Sequence, residues 1–390
     1  MPRIVRLQSY AVNVTPKTNW VFMEAVSDDG LTGIGEASLN GWEAPLLACA
    51  EMLARDVVGS ACDTAADIAR LAQIFPHSPG GLLANAVKSA LEQALTDLLA
   101  QRAGLPIHAW LGGARRTKVP VYANINRATM DRSAQGFRAS AQRAVAAGFR
   151  AVKVAPFDGV VSQDRASSPF TQRIRAGIER VLAVRDAVPA TVSVLVDCHW
   201  RFDEASAAEV IDALAPAGLF WLECPVSEQP LHWDAIVRLR RRANDRGMRL
   251  AGAETITGVE QVRPMLERGL YDVIMPDLKY CGGYAAMLAI ADLAARHDVR
   301  FSPHNPSGPV CNLASVHACM AADDCLVLEH QLAESPLYES LVHGAGPALV
   351  EGSFVAPERA GLGAQLDREL AQAHPWQRLP RGANLDERLG

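Results

Sequence analysis

The sequence contains no apolar run approaching the ~20 residues a helix needs to cross a bilayer. Its first stretch, "MPRIVRLQSYAVNVT", also lacks a long apolar segment followed by a small-residue cleavage site. Membrane and export readings find no support, and a cytoplasmic location is expected. No CxxC pair occurs among the eight cysteines, and Cys198, Cys224 and Cys281 fall inside the motifs discussed below. Scattered cysteines of this kind suit reduced thiols rather than a disulfide framework. Positive charge is short as well, with a formal net charge of −5 and a pI of about 6.1. The one basic cluster, Arg238 to Arg242 in "RLRRRANDR", lies in a helix-like stretch and reads as a solvated face. No nucleic-acid partner is expected, because a protein that neutralises phosphates carries a basic excess somewhere.

What is present is core-forming material: 390 residues, 49% of them hydrophobic and 21% charged. Length alone allows two or three domains, or one large barrel. From residue 1 to about 115 the strand-like stretches Ile4 to Val12 and Val21 to Val26, with the turn-rich "DDGLTGIGEA", suggest an antiparallel meander, and Ala44 to Arg102 reads as helices. "GWEAPLL" and the Gly80-Gly81 pair are expected as loops. From "VPVYANIN" onward a strand-then-helix rhythm begins. Its strand candidates are 119–123, 151–154, 192–196, 220–222, 250–253, 273–275, 300–302 and 326–328. Eight parallel strands with helices between them describe a TIM-type barrel, whose active sites lie at the C-terminal strand ends.

Those ends carry Lys153, Asp197 with His199, Glu223, Glu254, Asp277, His304 and Glu329. The intervals from Asp197 onward are 26, 31, 23, 27 and 25 residues, each about one strand-helix unit, so the side chains converge on one mouth. Asp197, Glu223 and Glu254 would repel one another in a partly desolvated site, which a hard divalent cation relieves. An all-oxygen site suits Mg²⁺ rather than zinc, which draws on sulfur or imidazole. Helix capping is the competing role for any one of these acids; three on adjacent strands favour the metal. Asp277 and His304 end neighbouring strands, so the carboxylate can hold one imidazole nitrogen and support the other as a general base.

With "GLPIHAWLGG", "AVKV", "VDCHWR", "FWLECPV", "GAETI", "MPDLKYCGG", "SPHNPSGP" and "AGLGAQLD" in this order, the chain resembles the enolase superfamily, mandelate racemase branch. The resemblance implies a (β/α)7β barrel (119–355) under an N-terminal α+β capping domain (1–118), with 356–390 returning to the cap. It also implies Mg²⁺ on Asp197, Glu223 and Glu254, abstraction of the proton α to a carboxylate by the His304–Asp277 dyad to give an enediolate, and Glu329 supporting the substrate's carboxylate. Asp277 stands where the muconate-lactonising branch carries a lysine. Mandelate racemase presents a Lys-x-Lys pair on the second strand; here Lys153 keeps the first position and Ala155 fills the second.

The absent second lysine gives His199 a role. Two residues beyond Asp197, it can serve the face that lysine would have occupied, as in the galactonate dehydratase group that the arrangement resembles. In this reading Lys153 holds developing carboxylate charge, His199 expels the β-hydroxyl as water, and the product is a 2-keto-3-deoxy acid. Lys153 has a structural alternative, pairing with Asp197 or Glu223. A racemase or epimerase with His304 and His199 as opposed bases stays open, as does a non-catalytic binding protein for sugar acids. The expected partner is a small acid-sugar carboxylate, and the resemblance favours a homo-oligomer. Specificity is expected from loops around 39–45 and 75–81, with Trp42 and His77 as candidate substrate contacts.

Overall fold

The computed structural model describes residues 1–73, 81–161, 167–344, 346–355 and 357–379. Its first sheet is antiparallel: β1 (Ile4–Thr15), β2 (Thr18–Ser27) and β3 (Thr32–Glu36) pair in that order. Helices α1 (Glu43–Val57), α2 (Ala65–Ala72) and α3 (Leu82–Arg102) pack on it. The glycines of "TGIGE" set how close α3 can come: a Cβ on Gly33 or Gly35 would lie 2.0 Å from the Ala94 or Ala90 carbonyl oxygen. At that approach α3 covers the edge of β3 with polar side chains, Asp97 accepting from Ile34 N at 3.0 Å and Gln93 from Glu36 N at 3.2 Å. The segment 41–47, expected as a loop, begins α1. Pro45 is tolerated in a first turn, where no intrahelical N–H partner is lost, and Glu43 accepts from Gly41 N at 2.9 Å.

After a short turn of helix, α4 (Ile107–Trp110), the chain enters the barrel. Its parallel strands are β4 (Val119–Asn124), β5 (Ala151–Val154), β6 (Ser193–Asp197), β7 (Trp221–Glu223), β8 (Arg249–Gly252), β9 (Val273–Ile274), β10 (Arg300–Phe301) and β11 (Leu328–Gln331). They follow one another in the sheet, and β11 returns to pair with β4. Leu326 N donating to Phe301 O at 2.8 Å links the last two strands. Crossover helices α5 (Ala134–Ala146), α6 (Ser168–Ala187), α7 (Glu204–Leu214), α8 (Trp233–Asp245) and α9 (Val259–Glu267) follow β4 to β8. The one-turn α10 (Leu278–Cys281) and then α11 (Tyr284–Ala295) follow β9, and α12 (Pro309–Ala321) follows β10. The chain is therefore a capping domain with an antiparallel sheet joined to a mainly parallel α/β barrel. Tyr122, Leu195, Trp221, Ala251, Val273, Met275 and Val327 fill the barrel interior as one apolar cluster.

The eighth strand begins two residues later than the sequence pattern indicates. Its register places Glu329 opposite Tyr122, so the carboxylate sits within the strand and fully buried rather than beyond its end. The basic cluster of α8 is a solvated face tied down by acids: Arg240 meets Asp272 at 2.8 Å, and Arg238 meets Glu204 at 2.6 Å. Among the described residues no helix is long and apolar enough to cross a membrane.

Two buried carboxylates of the cap hold it over the C-terminal mouth of the barrel by taking the N-termini of barrel helices. Glu36 accepts from Gly308 N at 2.8 Å and Cys311 N at 2.9 Å at the start of α12. Glu92 accepts from Tyr284 N at 2.9 Å and Ala285 N at 3.3 Å at the start of α11. Each satisfies N–H groups a helix leaves unpaired and faces the positive end of its dipole. The tail closes the same arrangement, with Asn13 N donating to His374 O at 2.9 Å and Arg368 paired to Glu24 at 2.9 Å.

Burial nevertheless raises the Glu92 pKa from 4.5 to about 7, against the pull of its two backbone donors. A pKa raised on folding stabilises the protein below the unfolded value, and that contribution is lost as pH rises through the folded one. Between about pH 4.5 and 7 this one residue withdraws about 3 kcal/mol. Glu92→Gln is expected to narrow the fall in melting temperature between pH 5 and 8, and an undiminished fall by calorimetry would refute the assignment.

Candidate active site

Seven neighbouring strands, β5 to β11, deliver side chains at or near their C-terminal ends to the mouth beneath the cap. Asp197, Glu223 and Glu254 come from β6, β7 and just beyond β8; one oxygen of each lies within 4.8 Å of the others, and all three are buried. Four of the seven non-glycine residues with left-handed backbone among those described adjoin these acids: His199 (φ 47°), Trp200 (φ 54°), Cys224 (φ 45°) and Ala253 (φ 70°). Such conformations cost of order 1–3 kcal/mol each and persist only when the surroundings impose them. Here the imposing bonds are visible. Trp200 N donates to Cys224 O at 2.6 Å, Cys224 N to Ala251 O at 3.0 Å, and Ala253 N to the buried carboxylate of Glu228 at 2.6 Å. The strain turns each strand end so that its acid faces the common centre.

Lys153, on β5, bridges two acids, with Nζ 2.7 Å from Glu223 and 2.8 Å from Glu329. Asn124 donates to the same Glu329 oxygen at 2.7 Å and Asn305 N to the other at 2.8 Å, while Trp221 Nε1 holds Glu223 at 3.0 Å. Burial opposes charge on Lys153, but Glu223 and Glu329 outweigh it and hold its pKa well above the usual lysine value. Burial likewise opposes charge on Glu329, and Lys153 with His304 keeps its carboxyl below the usual range. Glu223 and Glu254 go the other way. Burial raises both pKa values well above the ordinary range, and the charge of Asp197 adds to the rise. We take Lys153 as an ammonium. One ammonium does not neutralise this group of acids, so keeping the triad ionised calls for further positive charge, which a divalent cation on three oxygen donors provides. The residues fit such an ion.

On the adjoining strands His304 Nδ1 lies 2.8 Å from Asp277 Oδ2, which leaves Nε2 directed toward the triad, 3.6 Å from Glu254. Asp277 is shared: Lys279 Nζ reaches the same oxygen at 2.8 Å and also bonds Ser307. Burial opposes the Asp277 charge, but Lys279 and His304 overcome it and hold its pKa below normal. His199 Nε2 sits 2.6 Å from Asp197 Oδ2. Asp197 is also depressed, the charge of His199 overriding the effect of burial.

Of these side chains Lys153, Asp197, His199, Glu254, Lys279 and His304 line a chamber of about 90 Å³, which opens on a groove of about 700 Å³. Ala155 and His199 line the same groove, so position 155 brings no lysine to it and the His199 imidazole is present beside it. Trp42 lines neither space. It stands at the N-cap of the helix that starts at Glu43 and packs half-buried against the capping core. Leu39 and Asn40, from the same segment, line the chamber instead. His77 lies outside the described residues. Three participants were not singled out from sequence: Asn124, Lys279 and Arg127. Asn124 ends the first barrel strand, where the rule that exposed the acids also applies; Lys279 follows Asp277 by two residues in "DLK", in the one-turn helix that Asp277 caps. Nothing in the sequence marked Arg127, whose partner Glu334 is distant in the chain.

Residues 4–112 match the family described as "Mandelate racemase / muconate lactonizing enzyme, N-terminal domain", and residues 136–370 match "Enolase C-terminal domain-like". Among curated proteins the chain is 27% identical over 380 residues to a D-galactonate dehydratase of Variovorax paradoxus, covering 94% of this chain and 93% of that one. It is 28% identical over 370 residues to a D-xylonate dehydratase of Haloferax volcanii, covering 91% and 85%. Among solved structures, a mandelate racemase/muconate lactonizing enzyme-like protein of Rubrobacter xylanophilus superposes with a TM-score of 0.84 at 30% identity, over 97% of this chain and 99% of that one. With both domains matched, and the strand-end acids assembled in one chamber, the chain belongs to the mandelate racemase/muconate lactonizing enzyme family of the enolase superfamily.

Proposed function

We propose that the protein is an acid-sugar dehydratase that holds Mg²⁺ on Asp197, Glu223 and Glu254, removes the proton α to the substrate carboxylate, and eliminates the β-hydroxyl to leave a 2-keto-3-deoxy acid. The observation that carries this reading is one base, His304 oriented by Asp277, beside an oxygen-donor triad, with His199 on the groove side and Ala155 where a second β5 lysine would stand. The bound cation supplies Lewis-acid stabilisation of the charge that develops on the carboxylate.

The rest falls to this chain's own residues. His304 accepts the α proton at Nε2, because Nδ1 is engaged by Asp277 and the tautomer is thereby set. Lys153 presents fixed positive charge to the developing enediolate, and Glu329, held by Lys153, Asn124 and Asn305 N, keeps that ammonium in place. His199 gives a proton to the departing β-hydroxyl, which leaves as water as the Cα–Cβ double bond forms. The resulting enol becomes the ketone by taking a proton at Cβ. Water exclusion comes from the cap, which contributes Trp20, Ser38 and Leu39 to the chamber roof.

The names borne by the relatives, D-galactonate and D-xylonate dehydratase, support the substrate class at modest identity. The purified chain with Mg²⁺, offered five- and six-carbon aldonic and aldaric acids, is expected to release a 2-keto acid detectable with semicarbazide. Deuterium entering the α carbon in D₂O with no keto product would replace this reading with a racemase or epimerase. Binding of metal and acid sugar without exchange or turnover would replace it with a binding protein.

A further inference from the structure

The groove that leads out of the reaction chamber is unbalanced in charge. The whole chain carries a net −5, yet the groove is lined by Lys17, Arg127, Arg132, Arg180 and Arg201 against Asp158 and Glu334, with Asp197 at its junction with the chamber. Asp158 and Glu334 are already taken. Arg127 Nη1 holds both oxygens of Glu334 at 2.8 and 2.9 Å. Arg132 holds both oxygens of Asp158 at 2.8 and 2.9 Å, and completes its valences on Asn126 and the Ala155 carbonyl. Arg180 reaches Asp158 only at 3.3 Å, as a second cation on an acid already bound. Arg201 donates to a backbone carbonyl, Val160 O at 3.1 Å, and the Lys17 ammonium meets no carboxylate among the described residues. Arg180, Arg201 and Lys17 are therefore positive charge in excess, facing one cavity.

This cavity is continuous with the chamber, since Asn126, Arg127 and His199 line both. In the acid-sugar reading above, on which this inference rests, one carboxylate of the substrate belongs at the triad and Lys153. The remaining chain then runs into the groove. A neutral hydroxymethyl terminus gains nothing from uncompensated cations, whereas a second anion does, and the field of a walled groove strengthens that attraction. Lys17 comes from the tight β1–β2 turn of the cap and Arg201 from beyond β6, so both domains contribute cations to the groove.

We propose that the true substrate carries a second anionic group at the end remote from the reacting carboxylate, read by Lys17, Arg180 and Arg201. A terminal carboxylate and a terminal phosphate ester share this chemistry, and substrate comparison separates them. The full chain with Mg²⁺ is assayed on the hexonic acids, the hexaric acids of matching configuration and 6-phosphogluconate, with binding followed in parallel by calorimetry. A hexarate is expected to exceed its hexonate in kcat/KM by about tenfold or more, and the double variant Lys17→Met, Arg201→Gln to cut that ratio by about tenfold, mainly through KM. Preference for 6-phosphogluconate would keep the inference and name phosphate as the anion. Hexonates used as well as or better than hexarates, or a ratio unmoved in the double variant, would overturn it. Tighter binding of a hexarate than of its hexonate without any dehydration would fail the dehydratase reading and leave the second anion standing; no preference in binding or turnover would fail the second anion.

Discussion

Replacing His304 with asparagine should lower turnover by about 10³-fold or more, the range expected for losing a positioned general base. The asparagine amide can keep a hydrogen bond to Asp277, 2.8 Å from the native Nδ1, so neither the fold nor the carboxylate is left uncompensated. What disappears is the nitrogen that faces the triad beside Glu254. Both readouts, deuterium exchange at the α carbon and release of keto acid, should vanish together while Mg²⁺ binding measured by calorimetry persists. His199→Asn separates them. If His199 serves only as the acid, exchange at the α carbon survives and water loss fails, because proton abstraction on the other face does not require it. Turnover within about tenfold of wild type in His304→Asn would remove the assigned base altogether.

Lys153→Met should be costly in two ways that a second substitution can pull apart. The side chain is 2% exposed and compensates Glu223 and Glu329 at 2.7 and 2.8 Å, so its removal strands buried carboxylates. Breaking one side of such a buried pair costs about 3–5 kcal/mol, because the partner's charge remains without compensation. A lower melting temperature and loss of keto-acid release are both expected. Adding Glu329→Gln removes one stranded charge and should recover part of the stability. Activity should stay lost in the double variant, since the positive charge that meets the developing enediolate is still missing. Recovery of activity together with stability would make Lys153 a purely structural bridge. An unchanged melting temperature in Lys153→Met would contradict the ion pairs themselves.

The sequence was most readable where periodicity and chemistry coincide. Seven of the eight barrel strands lie within a residue or two of their pattern, because a buried parallel strand must be a short apolar run and its end must be polar to meet the mouth. The exception is instructive: "CLVLEH" offers two overlapping apolar windows, and only pairing with β4 selects 328–331. The loop expected at 41–47 shows the opposite limit. Gly, Pro and Trp together resemble punctuation, yet Pro45 falls in a helix's first turn, where its missing N–H costs nothing. With the segment helical, Trp42 packs half-buried against the capping core and the neighbouring Asn40 lines the chamber.

The sequence by itself determined the strand-end series from Lys153 to Glu329, hence a barrel with one chemical mouth, an oxygen-donor triad and a histidine beside an acid. Each of these follows from residue type and a spacing of one strand-helix unit. Tertiary structure alone decided who is bonded to whom. Lys153 joins Glu223 to Glu329, Lys279 shares Asp277 with His304, and Glu36 and Glu92 take the N-termini of barrel helices. It also decided how the groove's cations are shared, with Arg132 and Arg180 both reaching Asp158. Those partnerships span tens to hundreds of residues and depend on distances of a few ångströms, whereas a sequence pattern reports only the direction in which each side chain leaves its own strand or helix.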